Sequence, residues 1–254
     1  MIGTQEISNL NCFLLFLGRG RSGSSLCGAL INSHPNAVVA HQKEFIDFHY
    51  ENELELYNYF LETIDDRRYI WPPHRKSDWE WIKQYKVLKV IGTKRQGTLV
   101  RNPRDMGRFY KLKKTLSIPI KFINIYRNPF DNIATMYNQS QRPKPVKLGK
   151  NMKNIDRAIS YYFGGIKMTD ALAGEDVLNV KHENLVQNVR EVVTEIFDFL
   201  ELPLIEDHLV YCESIVWSNP RKTRDSVNWT EKEKNRVIKL KNQYDFLKDY
   251  TWEN

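Results

Sequence analysis

At 254 residues the chain can bury one large core, and an α/β domain of this size commonly folds as one unit. A hydrophobic share of 41% with 27% charged residues excludes a disordered or fibrous chain. The net charge of +7 favours anionic partners without choosing among nucleotides, polyanions and nucleic acid.

The N-terminus carries no basic segment ahead of a secretory apolar core. The first apolar run, Cys12-Phe13-Leu14-Leu15-Phe16-Leu17, is too short to span a bilayer. It reads as a buried strand, and the chain as a cytoplasmic protein. Three cysteines, Cys12, Cys27 and Cys212, form no Cys-x-x-Cys pair and read as buried free thiols in a reducing compartment.

Helix periodicity follows over 24–33, a strand over 37–40, and a helix over 53–64. Strands are expected again at 86–91, 120–126 and 177–181, with helices at 104–116, 130–139, 152–173, 185–200 and 230–247. Strands alternating with helices imply a three-layer α/β fold of P-loop-like type, a central parallel sheet flanked by helices, in a single domain over 1–254. Residues 45–85 interrupt the pattern with many aromatics around Pro72-Pro73. They read as an irregular insertion with its own aromatic core, as a wall over an acceptor substrate, or as both. Residues 141–151 read as an exposed basic loop.

Between the first strand and first helix lies Gly18-Arg19-Gly20-Arg21-Ser22-Gly23-Ser24-Ser25. A strand, a Gly/Ser turn and a helix start converge backbone N–H groups on one anion, with the helix dipole behind them. The spacing follows a Walker A loop, but Ser24 stands where that motif needs lysine, which disfavours ATP chemistry. Two further anion-competent elements are Arg127-Asn128-Pro129-Phe130-Asp131 with Thr135, and Asn219-Pro220-Arg221-Lys222-Thr223-Arg224-Asp225. Strand-end ligands in parallel sheets gather beyond the carboxyl edge, so the loop and Arg127 should open onto one cleft.

These residues resemble the sulfotransferases that use 3′-phosphoadenosine 5′-phosphosulfate. Arg21-Ser22-Gly23-Ser24-Ser25-Leu26 looks like their 5′-phosphosulfate loop, and Leu30-x3-His34-Pro35 continues it as in the arginine-bearing branches, among them tyrosylprotein and bacterial enzymes. Arg127-Asn128-Pro129-x-Asp131-x3-Thr135 resembles the 3′-phosphate motif. Val180-Lys181-His182-Glu183-Asn184-Leu185-Val186, with Ile196 to Leu202, looks like the later Y-E-[DN]-L-V … F-L-G-L segment. Arg21 departs from the lysine of the cytosolic small-molecule branch, His182 from the motif tyrosine, and Lys94 stands where that branch has its histidine base. The dimerisation pattern of that branch is absent.

The resemblance implies sulfuryl transfer from 3′-phosphoadenosine 5′-phosphosulfate to an acceptor hydroxyl or amine, with no metal. It implies that Arg21, Ser22, Gly23, Ser24 and Ser25 hold the 5′ end, Arg21 stabilising leaving-group charge. Arg127, Thr135, Arg221 and Lys222 would hold the 3′-phosphate, with Lys94 a further cation on the sulfuryl oxygens. Glu44 is the expected general base and His41 the second choice. The acceptor stays open among small molecules, glycans and peptides, and nucleic acid is not expected as a partner. A P-loop nucleoside or small-molecule kinase and a non-catalytic polyanion-binding module are the alternatives.

Overall fold

The computed structural model describes residues 9–41, 50–62, 87–94, 103–142, 152–170, 172 and 175–254. Five parallel strands form its centre: β1 (Cys12–Gly18), β2 (Ala37–His41), β3 (Val90–Lys94), β4 (Ile120–Tyr126) and β5 (Asp176–Lys181), in the order β2-β3-β1-β4-β5. The described helices are α1 (Ser24–Asn32), α2 (Glu53–Leu61), α3 (Pro103–Thr115), α4 (Pro129–Ser140), α5 (Ile155–Asp170), α6 (His182–Gln187), α7 (Val189–Leu200), α8 (Glu206–Ile215) and α9 (Glu231–Lys241).

The unbroken apolar run of β1 is what a central parallel strand requires, because both of its faces are covered. Side chains alternate across the sheet. Phe13, Leu15 and Leu17 join Leu56, Phe60, Phe109 and Leu112 on one face. Cys12, Leu14 and Phe16 join Leu30, Ile196, Phe197 and Leu209 on the other. A third apolar cluster packs α4 and α5 against the C-terminal segment through Ile133, Ile159, Phe163, Val237 and Leu247. Cys12, Cys27 and Cys212 are buried free thiols, and burial pushes Cys12 and Cys212 up to about 12.

Several boundaries correct the sequence reading. The strand expected over 86–91 begins at Val90 and runs to Lys94, because register with β1 pairs Cys12 with Val90 and Leu15 with Thr93. Gly92 weakens the apolar signal there, although the whole strand is buried. The helix expected over 185–200 is two helices, broken at Asn188, which ends α6 and starts α7 at φ −127° and ψ 57°. The last helix ends at Lys241 instead of reaching 247, and α8 was not anticipated. In α8 Val210 is exposed beside buried Leu209, so its periodicity is weak.

α7 ends on Glu201 at φ 55°, the left-handed position that the resembling motif gives to glycine. Its carboxylate is held 2.7 Å from Lys121 Nζ, an ion pair that helps keep a non-glycine residue in that position.

Candidate functional site

The carboxyl edge of β1 leads into the turn before α1, where Gly23 is the N-cap at φ 103°. Among the described residues no side chain caps this helix, so the backbone N–H groups of its first turn can take an outside acceptor at the positive end of the dipole. A Cβ at Gly23 would lie 2.3 Å from His182 Nδ1, so only glycine fits between the loop and that imidazole. Ser22 and Ser24 are buried. Arg21 takes φ 74° without being glycine, and burial followed by the nearby Arg142 charge pushes its guanidinium below the ordinary value.

Lys94 ends β3 on the same edge. It is 5% exposed and donates from Nζ to Ser25 Oγ at 2.9 Å, with its stem against Gly28. It therefore belongs to the loop rather than to the solvated surface. His41 ends β2 in register with Lys94. Burial, and then the Lys94 charge, push its imidazole down to about 4, so at neutral pH it is uncharged and a weak proton acceptor. Glu44 lies outside the described residues.

The second anion-competent element folds as the sequence predicts. Asn128 accepts a hydrogen bond from Phe130 N–H at 3.0 Å, and Pro129 occupies the first turn of α4. Arg127, 7% exposed, donates to the Arg221 carbonyl, while its buried Nε has no partner among the described residues. Burial lowers its pKa against the opposing effects of Asp131 and Glu183. Thr135 Oγ1 donates to the Asp131 carbonyl and meets Thr223 Oγ1, each at 2.8 Å. Arg127, Thr135 and Arg221 are thus brought together. Lys222 turns to the Glu253 carbonyl at 2.5 Å.

Beneath them lies an ion pair to which the sequence reading gave no role. Arg224 is 2% exposed, and its Nη2 lies 2.6 Å from Asp131 Oδ2 while its Nε donates to Asp131 Oδ1. The same guanidinium donates to the carbonyls of Thr251, Trp252 and Asn254. Glu183 accepts from the Asn128 backbone N–H at 3.0 Å and from the Tyr250 hydroxyl. The signal was present in the aspartate of the R-N-P-x-D pattern, which needs a buried cation. A cavity of about 250 Å³ opens here, lined by Lys181, Glu183, Arg221, Lys222 and Arg224 among others.

His182 joins the two corners. It touches Gly23 from α6, and burial followed by the Arg127 charge pushes it down to about 4. The site can therefore receive one anion at the start of α1 and another at Arg127, with a neutral imidazole between. Among the described residues no group of His, Cys, Asp and Glu is arranged to hold a metal ion, and no helix is long and apolar enough to cross a membrane.

A profile described as the sulfotransferase family matches residues 14–207. No curated protein sequence matches the chain. Among solved structures, the sulfotransferase domain of the Synechococcus PCC 7002 olefin synthase is 15% identical, covering 93% of this chain and 96% of that one at a TM-score of 0.55. The sulfotransferase domain from the curacin biosynthetic pathway is 14% identical, with 92% and 98% covered and a TM-score of 0.58. Mouse sulfotransferase SULT7A1 complexed with PAP is 12% identical, with 94% and 87% covered and a TM-score of 0.52. At these identities the structural likeness establishes the fold.

Proposed function

We propose, from the premise that this chain belongs to the sulfotransferase family, that it takes its sulfuryl group from 3′-phosphoadenosine 5′-phosphosulfate and passes it to an acceptor hydroxyl or amine. The observation that supports the reading is a pair of corners on one sheet edge: among the described residues, an α1 N-terminus with no side-chain cap and a buried Arg127 whose Nε is unpartnered. An adenosine with phosphates at both ends of its ribose fits that pair; a nucleoside monophosphate uses one corner only.

The nucleotide supplies an activated sulfuryl group and a phosphate leaving group. Backbone N–H groups of residues 22–25, with the Ser24 and Ser25 hydroxyls, hold the 5′-phosphate. Arg21 is permanently charged and stabilises the departing oxygen without giving up a proton. Lys94, fixed by its contact with Ser25 Oγ, directs its ammonium to the sulfuryl oxygens. Arg127, Thr135, Arg221 and Lys222 hold the 3′-phosphate. Transfer is an in-line displacement, whose demands are positioning and charge stabilisation. Glu44 is assigned as the base that takes the acceptor proton, since the depressed His41 leaves that imidazole poorly suited to it. The aromatic 45–85 segment is assigned to the acceptor side.

Titration calorimetry tests this reading. The protein should bind 3′,5′-adenosine bisphosphate at least about a hundredfold more tightly than AMP, the worth of two charge-assisted hydrogen bonds to the second phosphate. Equal affinities remove the assignment.

A further inference from the structure

The turn that presents Arg21 is strained. Ser22 N–H donates to the Arg19 carbonyl at 3.3 Å, closing a four-residue turn with Arg21 in its third position. A positive φ in that position ordinarily belongs to glycine, yet Arg21 sits at φ 74°. Such a residue costs about 1–3 kcal/mol and persists only where its surroundings over-determine it.

The surroundings are two helices that follow β4. From α4, Asn132 Nδ2 donates to the Gly20 carbonyl at 2.9 Å. From α5, the contact is with Arg19 itself. The Arg19 guanidinium lies 4.3 Å from the centroid of the Tyr161 ring and donates from Nη2 to the Tyr161 carbonyl at 3.0 Å. Gly165 stands one helical turn further along the same face of α5. A Cβ there would lie 1.9 Å from Arg19 Nη1, so the helix surface is cut away to admit the guanidinium.

Arg19 is 9% exposed, and its Nε has no partner among the described residues. Burying a guanidinium that has, among the described residues, one carbonyl acceptor and a ring face is costly compared with burying an apolar side chain. What the guanidinium adds is orientation, because its planar fork fits a ring face and a carbonyl together.

We propose that Arg19 is a positioning residue: its clamp on Tyr161 and Gly165 of α5 holds the turn so that Arg21 keeps its left-handed geometry and faces the 5′ end of the nucleotide. Arg19 acts through Arg21 and touches no reacting atom. The proposal rests on the donor reading above, and it gives Gly165 a specific purpose.

The test compares Arg19→Met, Gly165→Ala and the double variant by calorimetry, with 3′,5′-adenosine bisphosphate and adenosine 3′-monophosphate as ligands. Methionine keeps the apolar stem of Arg19 out to the Nε position and removes the fork, while the alanine methyl displaces the fork directly. Each single variant should bind the bisphosphate about tenfold more weakly, a change of about 1.4 kcal/mol, and bind the 3′-monophosphate within about twofold of wild type. The double variant should lose clearly less than the sum of the two single losses, since the alanine methyl then meets only the flexible end of the methionine and no fork. Parallel loss of both nucleotides, fully additive effects, or variants that bind the bisphosphate as wild type does would each overturn the proposal. A wild-type protein that fails to prefer the bisphosphate over AMP overturns the donor reading, and this one with it. Wild-type preference with unaffected variants overturns this one alone.

Discussion

The loop before α1 and the corner around Arg127 both lie at the carboxyl edge of the sheet, yet they are held differently. At the corner, Arg127, Lys222 and Arg224 each donate to a protein oxygen. In the loop, the proposed anion donors are backbone N–H groups and Arg21, whose backbone is held away from its preferred conformation. Arg224 ends on a carboxylate and is structural. Arg127 and Lys222 donate to neutral carbonyls, bonds that a phosphate can replace with stronger, charge-assisted ones. The loop invests in geometry in advance, whereas the corner exchanges one acceptor for another. Substitutions in the loop should therefore strike turnover, and those beneath the corner should strike folding.

The sharpest way to break this contrast is Arg224→Ala. It leaves Asp131 as a buried carboxylate without its guanidinium and strips three C-terminal carbonyls of a donor. Stability should fall by about 3–5 kcal/mol in denaturant unfolding. A loss no larger than that of an exposed arginine would show that the corner is not a folding element.

Arg21 should behave the opposite way. Arg21→Ala should lower transfer of labelled sulfuryl from the donor by about 100–1000-fold, while the unfolding midpoint barely moves. Arg21→Gly should be as inactive yet more stable than Arg21→Ala by about 1 kcal/mol, because glycine accepts the left-handed backbone. Retained turnover in either variant would detach Arg21 from the chemistry. Equal stabilities would remove the strain argument.

The smallest effect is on pH dependence. His182 and His41 are both pushed from 6.5 down to about 4 by burial. Below pH 6.5 the unfolded chain takes up protons that the folded one refuses until about pH 4, so these groups make stability fall as pH drops through that window. His182→Tyr should flatten the acid side of the melting-temperature profile. An unchanged slope would mean that His182 is solvated in solution.

Much of this arrangement was legible in the chain because the informative residues are local. β1, the Gly/Ser turn and the start of α1 occupy adjacent positions, and Asn128-Pro129 announces the start of α4 through its own capping chemistry. The grouping of Arg127, Thr135, Arg221 and Lys222 came from the family resemblance and not from spacing. Spacing could not show that Lys94 bonds Ser25, because the register of β3 against β1 and β2 decides where that strand ends. Nor could it show Arg224 on Asp131 or Arg19 on α5, since both contacts join segments far apart in the chain. The break at Asn188 escaped for another reason. The apolar pattern runs through it, and only the backbone angles reveal two helices.

The Asp131–Arg224 bridge also has a bearing on how the polypeptide matures. It ties α4 to a segment made much later in synthesis, and the same guanidinium gathers the main chain of residues 251–254. A nascent chain halted before residue 224 holds all five strands but lacks the clasp that completes the Arg127 corner. Nucleotide capture would then report this long-range docking, separating molecules that have closed the corner from those that are merely collapsed.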